Sequence, residues 1–375
     1  MTTLNCSPGI FAFPLLVTIA INCSAQNYSQ IAGQLGSQYS TQSLTLNSNL
    51  PYLFATFLAP VPNMTEAKSH QVSNLPPLPV EITSFGAVKL GDSIFVFGGH
   101  MGAAHSYSNK GQNEKLFQLN LSQPQLEWNE IASGPRLQGL GMVAFESHLI
   151  VIGGFTALNE EGQDQDLHSQ SQVKVFDITT HSWSDLPALP EPRSSHDAAL
   201  IGSTIYVVGG WNMQGDEDTQ WHNSAWALDL KSEEPRWVRI ADPPFVRRAL
   251  ATVGHAGKLF VIGGMNQQGT PTREVAIYDP TTRMWVNGGQ LQGEKPMTGF
   301  GVAGVSIGER LLVTALDGSL QSWNDQSSDW QIIGHTKNAR FFHRLLPLDA
   351  QSMVAIGGAS MSEGKFSEPE VINLP

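Results

Sequence analysis

Apolar positions along the chain arrive in runs of four that end in a pair of glycines. IFVF leads into Gly98 and Gly99, LIVI into Gly153 and Gly154, and IYVV into Gly209 and Gly210. LFVI leads into Gly263 and Gly264, and MVAI into Gly357 and Gly358. Unbroken runs suit strands covered on both faces, and glycine at their ends suits a backbone approach that a Cβ would block. Elsewhere apolar and polar residues alternate over short stretches bounded by Gly, Pro, Asn and Asp, the period of half-buried strands, and no stretch keeps a helical period. One unit reads as four strands, which in the third unit are 196–202, 204–210, 224–230 and 237–240.

The unit recurs. Successive glycine pairs lie 55, 56 and 54 residues apart, and the last gap is 94. That gap holds LLVTAL (311–316), a degraded copy with Ala315 and Leu316 in the glycine positions, so the units number six. A fixed period of this length signals a repeat architecture. A tryptophan opens the last strand of five units: Trp128, Trp183, Trp237, Trp285 and Trp330. In two of them an aromatic, Phe176 or Tyr278, stands seven residues earlier, across DITTHS and DPTTRM, which read as tight turns.

The double glycine after an apolar strand, the aromatic in the third strand and the following tryptophan resemble the kelch repeat over about residues 69–375. The resemblance implies an all-β fold, a six-bladed kelch β-propeller of four-stranded antiparallel blades. The last unit shows three strands and no tryptophan. HQVSNLPPLP (70–79) matches HSWSDLPALP (181–190), with Val72 in place of Trp183, so an N-terminal strand is expected to complete the last blade and close the ring. Closure removes an exposed sheet edge.

Composition adds less. Charged residues are 14%, with 36 glycines and 22 prolines, as suits many short strands joined by turns. A formal net charge of −12 argues against nucleic acid as a partner, which needs a basic footprint. The opening has an apolar core at 9–21 and small residues up to Ala25, so 1–25 reads as a signal peptide, although no Lys or Arg precedes Lys68. Export to the periplasm or outside the cell is the expectation, with no stable membrane insertion after cleavage. Residues 26–68 read as a polar linker or an extension that packs on the propeller, with 69–375 as the propeller itself.

Both cysteines, Cys6 and Cys23, fall inside the leader. Galactose oxidase also carries kelch-type blades, but its copper chemistry uses a tyrosine cross-linked to a cysteine, which the mature chain could not supply. No HExxH or comparable zinc spacing, no calcium loop and no P-loop appears, and no cofactor or metal is expected. The acidic runs at 159–166 and 215–218 read as solvated loops. The expectation for the site is geometric. The strand before the glycines should line the channel, with the segment leading into each unit and the loop after its glycines on one face. Five units then bring cations to one rim: Arg136, Arg193, Arg247 or Arg248, Lys295 and Arg340, with Glu81 in the remaining unit. His196, His343 and Arg344 follow just behind.

These arginines can serve as ties to backbone carbonyls, as the kelch resemblance implies, or as a site for a carboxylate or sulfate. Both uses stay open. The loops after the glycines add Trp211, Trp221, His222, His100, His105, Tyr107 and Phe155, groups suited to a glycan ring or a protein hot spot. The sequence thus favours an exported module that binds a protein or glycan ligand, and an anion fits its basic rim. The alternative is a sugar-processing enzyme of the kelch-type mutarotase kind. Its channel candidates, Glu81, His196, Asp197 and His343, form no pair at a diagnostic spacing.

Overall fold

The computed structural model describes residues 74–375 in full and, before them, the backbone of four strands. Residues 1–71 and 72–375 are separate compact units. In the first, Pro8–Phe13, Leu16–Asn22, Thr41–Thr45 and Tyr52–Phe57 pair in one antiparallel sheet, with the last strand between the second and third. The expected leader and polar extension fall on this unit. The cleavage position after Ala25 lies outside the described residues.

The second unit is a six-bladed β-propeller. Blade one consists of Gly86–Leu90, Ser93–Phe97, Lys115–Asn120 and Trp128–Ser133, paired in that order. Blades two to five repeat it, starting at Gly141, Asp197, Ala251 and Ala303, and blade six has three strands, Arg344–Pro347, Ser352–Ile356 and Glu370–Asn373. The two turns read from sequence are present. Asp177 Oδ1 accepts from the amides of Thr179 and Thr180, and Asp279 Oδ1 from those of Thr281 and Thr282. They set Phe176 directly opposite Trp183 and Tyr278 opposite Trp285, each pair with ring centroids 5.1 Å apart.

The first strand of each blade touches the first strands of both neighbours, in a cycle that closes from blade six to blade one. These strands therefore line the channel, which corrects the expectation that the strand before the glycines does so. That second strand lies between the first and third in its sheet, and its side chains fill the layers between blades.

The glycine pair is a joint between blades. Gly98 and Gly99 both take positive φ, 69° and 101°. A Cβ on Gly98 would stand 2.6 Å from the Leu137 carbonyl oxygen of the next blade, and the amide of Gly99 donates to that same oxygen at 2.8 Å. Four of the other five blade boundaries repeat the bond, to the carbonyls of Arg193, Arg247, Gly299 and Ile82. Blade five does not, because Ala315 and Leu316 keep ordinary backbone angles and the Leu316 amide turns to Thr298 instead.

Tryptophans supply a second tie. The indoles of Trp183, Trp237, Trp285 and Trp330 donate to the carbonyls of Ser133, Pro187, Ala241 and Gly288, each on the preceding blade. Trp128 of blade one donates to Pro76, which matches Pro187 in the sequence alignment of 70–79 with 181–190. The Leu78 amide bonds Ser367 in blade six, as the matching Leu189 amide bonds Ser171 in blade two. Leu75 and Leu78 are buried with Leu346, Val354 and Ile356 of blade six. The closing segment thus occupies the expected place, while the strand itself, at 70–73, lies outside the described residues.

Candidate functional site

Each second strand fixes a register at the channel mouth. Counting back 16 residues from the first glycine of the pair (17 in blade six) reaches Arg193, Arg247 and Arg340. The same count in the other blades lands on Ile82, Leu137 and Gly299. The residue two further on takes the left-handed conformation in all six blades: Ser84, Gly139, Ser195, Ala249, Gly301 and Phe342. Their amides and carbonyls hydrogen-bond round the channel from blade to blade. Among the described residues only the boundary between blades four and five lacks that bond.

This register corrects the basic rim. The guanidinium of Arg193 is fully buried and donates to the carbonyls of Gly209 and Ser224 and to Glu191. Arg247 likewise holds the carbonyls of Gly263 and Glu274, and Arg340 those of Gly357 and Glu368. A buried carbonyl must be bonded, and these three arginines serve that need within their own blades. They do not face the channel. Burial lowers Arg193 and Arg247 to about 10, so both remain charged at neutral pH. Arg136 sits one residue off the register and pairs with Glu114 at 2.8 Å, away from the channel. Lys295 is exposed at the start of a short 3-10 turn, Pro296–Gly299, and lies outside the channel as well. Sequence charge had aligned these two where spacing does not.

What faces the mouth is a funnel of about 1070 Å³. Its walls include Glu81, Gln138, Arg248, Phe300, Phe341 and Lys365, with the loop residues His100, His105, Tyr107, Phe155 and Trp211 above them. Arg248 lies over the Trp211 ring, its guanidinium carbon 3.9 Å from the centroid. It has no carboxylate partner among the described residues, and burial lowers its pKa. Trp221 backs this pair: it stands opposite Trp211 in a two-strand ribbon, centroids 5.2 Å apart, and does not line the funnel. His222 is buried outside the funnel, bonded to the Pro192 carbonyl. Burial pushes the Tyr107 hydroxyl up and the His100 imidazole down.

An ion pair spans the base of the funnel. Arg344 of blade six reaches across to Asp197 of blade three at 2.9 Å, and also donates to the carbonyls of Phe85 and Leu140. The matching residues of the other four blades are Gly86, Gly141, Ala251 and Ala303, small enough to leave room for that span. His196 and His343 occupy one register position on the same two opposite blades, and both are buried. Burial, with the charges of Arg340 and Arg344, lowers His343 to about 3, and burial with the Arg193 charge puts His196 well below its ordinary value. Both are neutral, so neither adds positive charge to the rim on mild acidification.

Of the eleven buried side-chain polar atoms without a protein partner among the described residues, seven belong to residues lining the funnel. They include His100 Nδ1, Gln138 Oε1, Trp211 Nε1 and Arg248 Nε. Buried polar groups are nearly always bonded, and most of the exceptions among the described residues lie in the funnel wall. No group of three His, Cys, Asp or Glu side chains in metal-holding geometry occurs among the described residues.

The sequence reading did not single out Phe300, Phe341 and Phe342. Spacing from the glycines would have found them, because Phe300 and Phe341 hold the position that Arg248 holds in blade four. Phe342 holds the left-handed position itself, with φ of 53°. A bulky residue there is an outlier that costs on the order of 1–3 kcal/mol.

Six antiparallel blades around a funnel define a β-propeller. A family model described as the KLHDC2/KLHL20/DRC7 Kelch-repeats domain matches residues 84–315, and the chain belongs to the kelch-repeat family. Among similar proteins, Kelch repeat and BTB domain-containing protein 12 of Danio rerio is 23% identical over 218 residues, 55% of this chain and 34% of that one. Acyl-CoA-binding domain-containing protein 4 of Arabidopsis thaliana is 26% identical over 239 residues, 61% of this chain and 34% of that one. The match thus spans about a third of the length of these relatives. The solved structure of YjhT superposes with a TM-score of 0.65 at 16% identity, covering 80% of this chain and 97% of that one, a likeness of fold.

Proposed function

We propose that this kelch propeller is an exported binding module whose funnel takes an acidic group presented by a protein or a glycan. The observation that carries the reading is Arg248, a guanidinium on the funnel wall, stacked on Trp211 and without a carboxylate partner among the described residues. A half-buried cation in that state gains most from a ligand that brings the carboxylate. The sugar-processing alternative draws less support. Among the described residues Glu81 is the single carboxylate lining the funnel, Asp197 is tied to Arg344 and to the Thr252 amide, and His196 and His343 are buried.

Screening wild type and Arg248→Gln against arrays of glycans and acidic peptides tests the reading. Hits should carry carboxylates and should lose affinity on the order of tenfold or more in the variant, the value of a charge-assisted bond. Binding should weaken as salt rises. The histidines at the base should add no pH dependence from about pH 8 to pH 6, because they remain uncharged there. Hits that bind the variant as well as the wild type would remove the proposal. The export component rests on the sequence of residues 1–25 and is checked by intact mass of the protein from its native host. A mature N-terminus at Gln26 is the expected result, and a soluble cytoplasmic form retaining Met1 would refute it.

A further inference from the structure

The register positions around the funnel divide by chemistry. Blades one to three supply Thr83, Gln138 and Ser194, and blades four to six supply Arg248, Phe300 and Phe341. Phe342 joins the second group. Its ring centroid lies 5.1 Å from that of Phe300 and 5.2 Å from that of Phe341, and Phe300 and Phe341 are 6.0 Å apart. All three rings are half-buried and line the funnel beside the blade that carries Arg248. In blade five the second and third strands, Arg310–Thr314 and Ser319–Asn324, are joined by a tight turn, so that blade raises no long loop over the rings.

Two features set this platform apart from ordinary packing. Five of the six left-handed positions hold Ser, Gly or Ala, and only the one beside Phe300 and Phe341 holds a large ring, in a conformation that disfavours it. The platform also adjoins Arg248, which among the described residues has no carboxylate partner, so an apolar face and a cation are presented together. The Arg344–Asp197 pair spans the base, and the funnel of about 1070 Å³ is of the size that takes a small ligand.

We propose that the funnel binds a small carboxylic acid bearing a planar apolar group, with the carboxylate on Arg248 and the apolar group on Phe300, Phe341 and Phe342. This rests on the acidic-ligand reading above and adds the apolar half. The carboxylate takes the free edge of the guanidinium while Trp211 holds its face. The ring meets aromatic edges and faces in offset or tilted geometry.

Calorimetric titration of the full chain with 3-phenylpropionate, its neutral amide and glucuronate tests the assignment. The phenyl acid should bind more tightly than either of the others, by on the order of tenfold or more. Phe342→Gly should bring it down to the level of glucuronate. Glycine suits the positive φ, so relief of strain offsets part of the lost ring packing, and a variant shown by thermal melting to be fully folded at the titration temperature separates lost binding from unfolding. Glucuronate binding wild type as tightly as the phenyl acid would overturn the apolar half and leave the acidic-ligand reading standing. Equal binding of acid and amide would overturn both. An acetylated Asp-Phe amide binding tenfold or more tighter than 3-phenylpropionate would give the site to a protein ligand and overturn the small-acid assignment, as would no binding of the phenyl acid at about 10 mM.

Discussion

A chain that begins at Glu81 should melt about 10 °C or more below the longer chain and should aggregate. The loss falls on identifiable groups. Leu75 and Leu78 leave the core they share with Leu346, Val354 and Ile356, at roughly 1.5–3 kcal/mol for each fully buried side chain. The Trp128 indole loses Pro76, and Ser367 loses the Leu78 amide, about 1 kcal/mol apiece. Summed, this is a large part of an ordinary stability of about 5–15 kcal/mol. It also removes the segment at 70–73 that is expected from the sequence to cover the third strand of blade six, and an open edge invites pairing with other chains. Thermal melting with size-exclusion chromatography checks it. A truncated protein that is monomeric with an unchanged melting temperature would show that the ring closes without this segment.

The second large effect is acid sensitivity. In the unfolded chain a histidine takes up a proton as pH falls through about 6.5. In the folded protein His343 resists protonation down to about 3 and His222 to about 4, with burial the leading cause for both, and His196 is shifted the same way. Between pH 6.5 and about 4 the unfolded state therefore binds protons that the folded state does not. Stability is complete above 6.5 and declines as the solution is acidified. At pH 5 the buried His343 imidazole should cost about 2 kcal/mol, and His196 acts in the same direction. The melting temperature should accordingly fall steeply between pH 7.5 and pH 5. His343→Asn, which has no proton to gain, should lose clearly less over that range than wild type. If wild type and variant fall in parallel, His343 is not one of the groups responsible.

Much of the architecture was legible because it is local. Gly98 and its counterparts are demanded by a carbonyl of the next blade at a fixed separation, and Trp183 faces Phe176 because a tight turn joins their strands. Such constraints repeat with the period of the unit, so the strands, the six copies and the closing segment could be read from spacing. The site was legible only in part. Arg248 and Trp211 were in view, but charge alone could not separate Arg248 from its neighbour Arg247, which points away into the blade. Adjacent residues of an extended segment face opposite ways, so an offset of one residue exchanges a buried tie for a funnel wall. The same offset drew attention to Arg136 where Leu137 holds the register. The bridge between Arg344 and Asp197 joins residues 147 positions apart from opposite blades, and nothing near either residue announces the other.

Blade five gives the ring a preferred place to come apart. It lacks the glycine joint to blade six, and the inner loop of amide bonds is interrupted where it meets blade four. A closed ring with two thin boundaries on one side does not breathe evenly: its slowest-exchanging amides should lie in blades one to three and its fastest openings around blade five. Arg248 lies on one flank of that blade, and Phe341 and Phe342 lie on the other. An occupant that touched all three would clamp the ring across its weakest arc. It would turn affinity into resistance against unzipping and leave a protected footprint in hydrogen exchange on strands it never contacts.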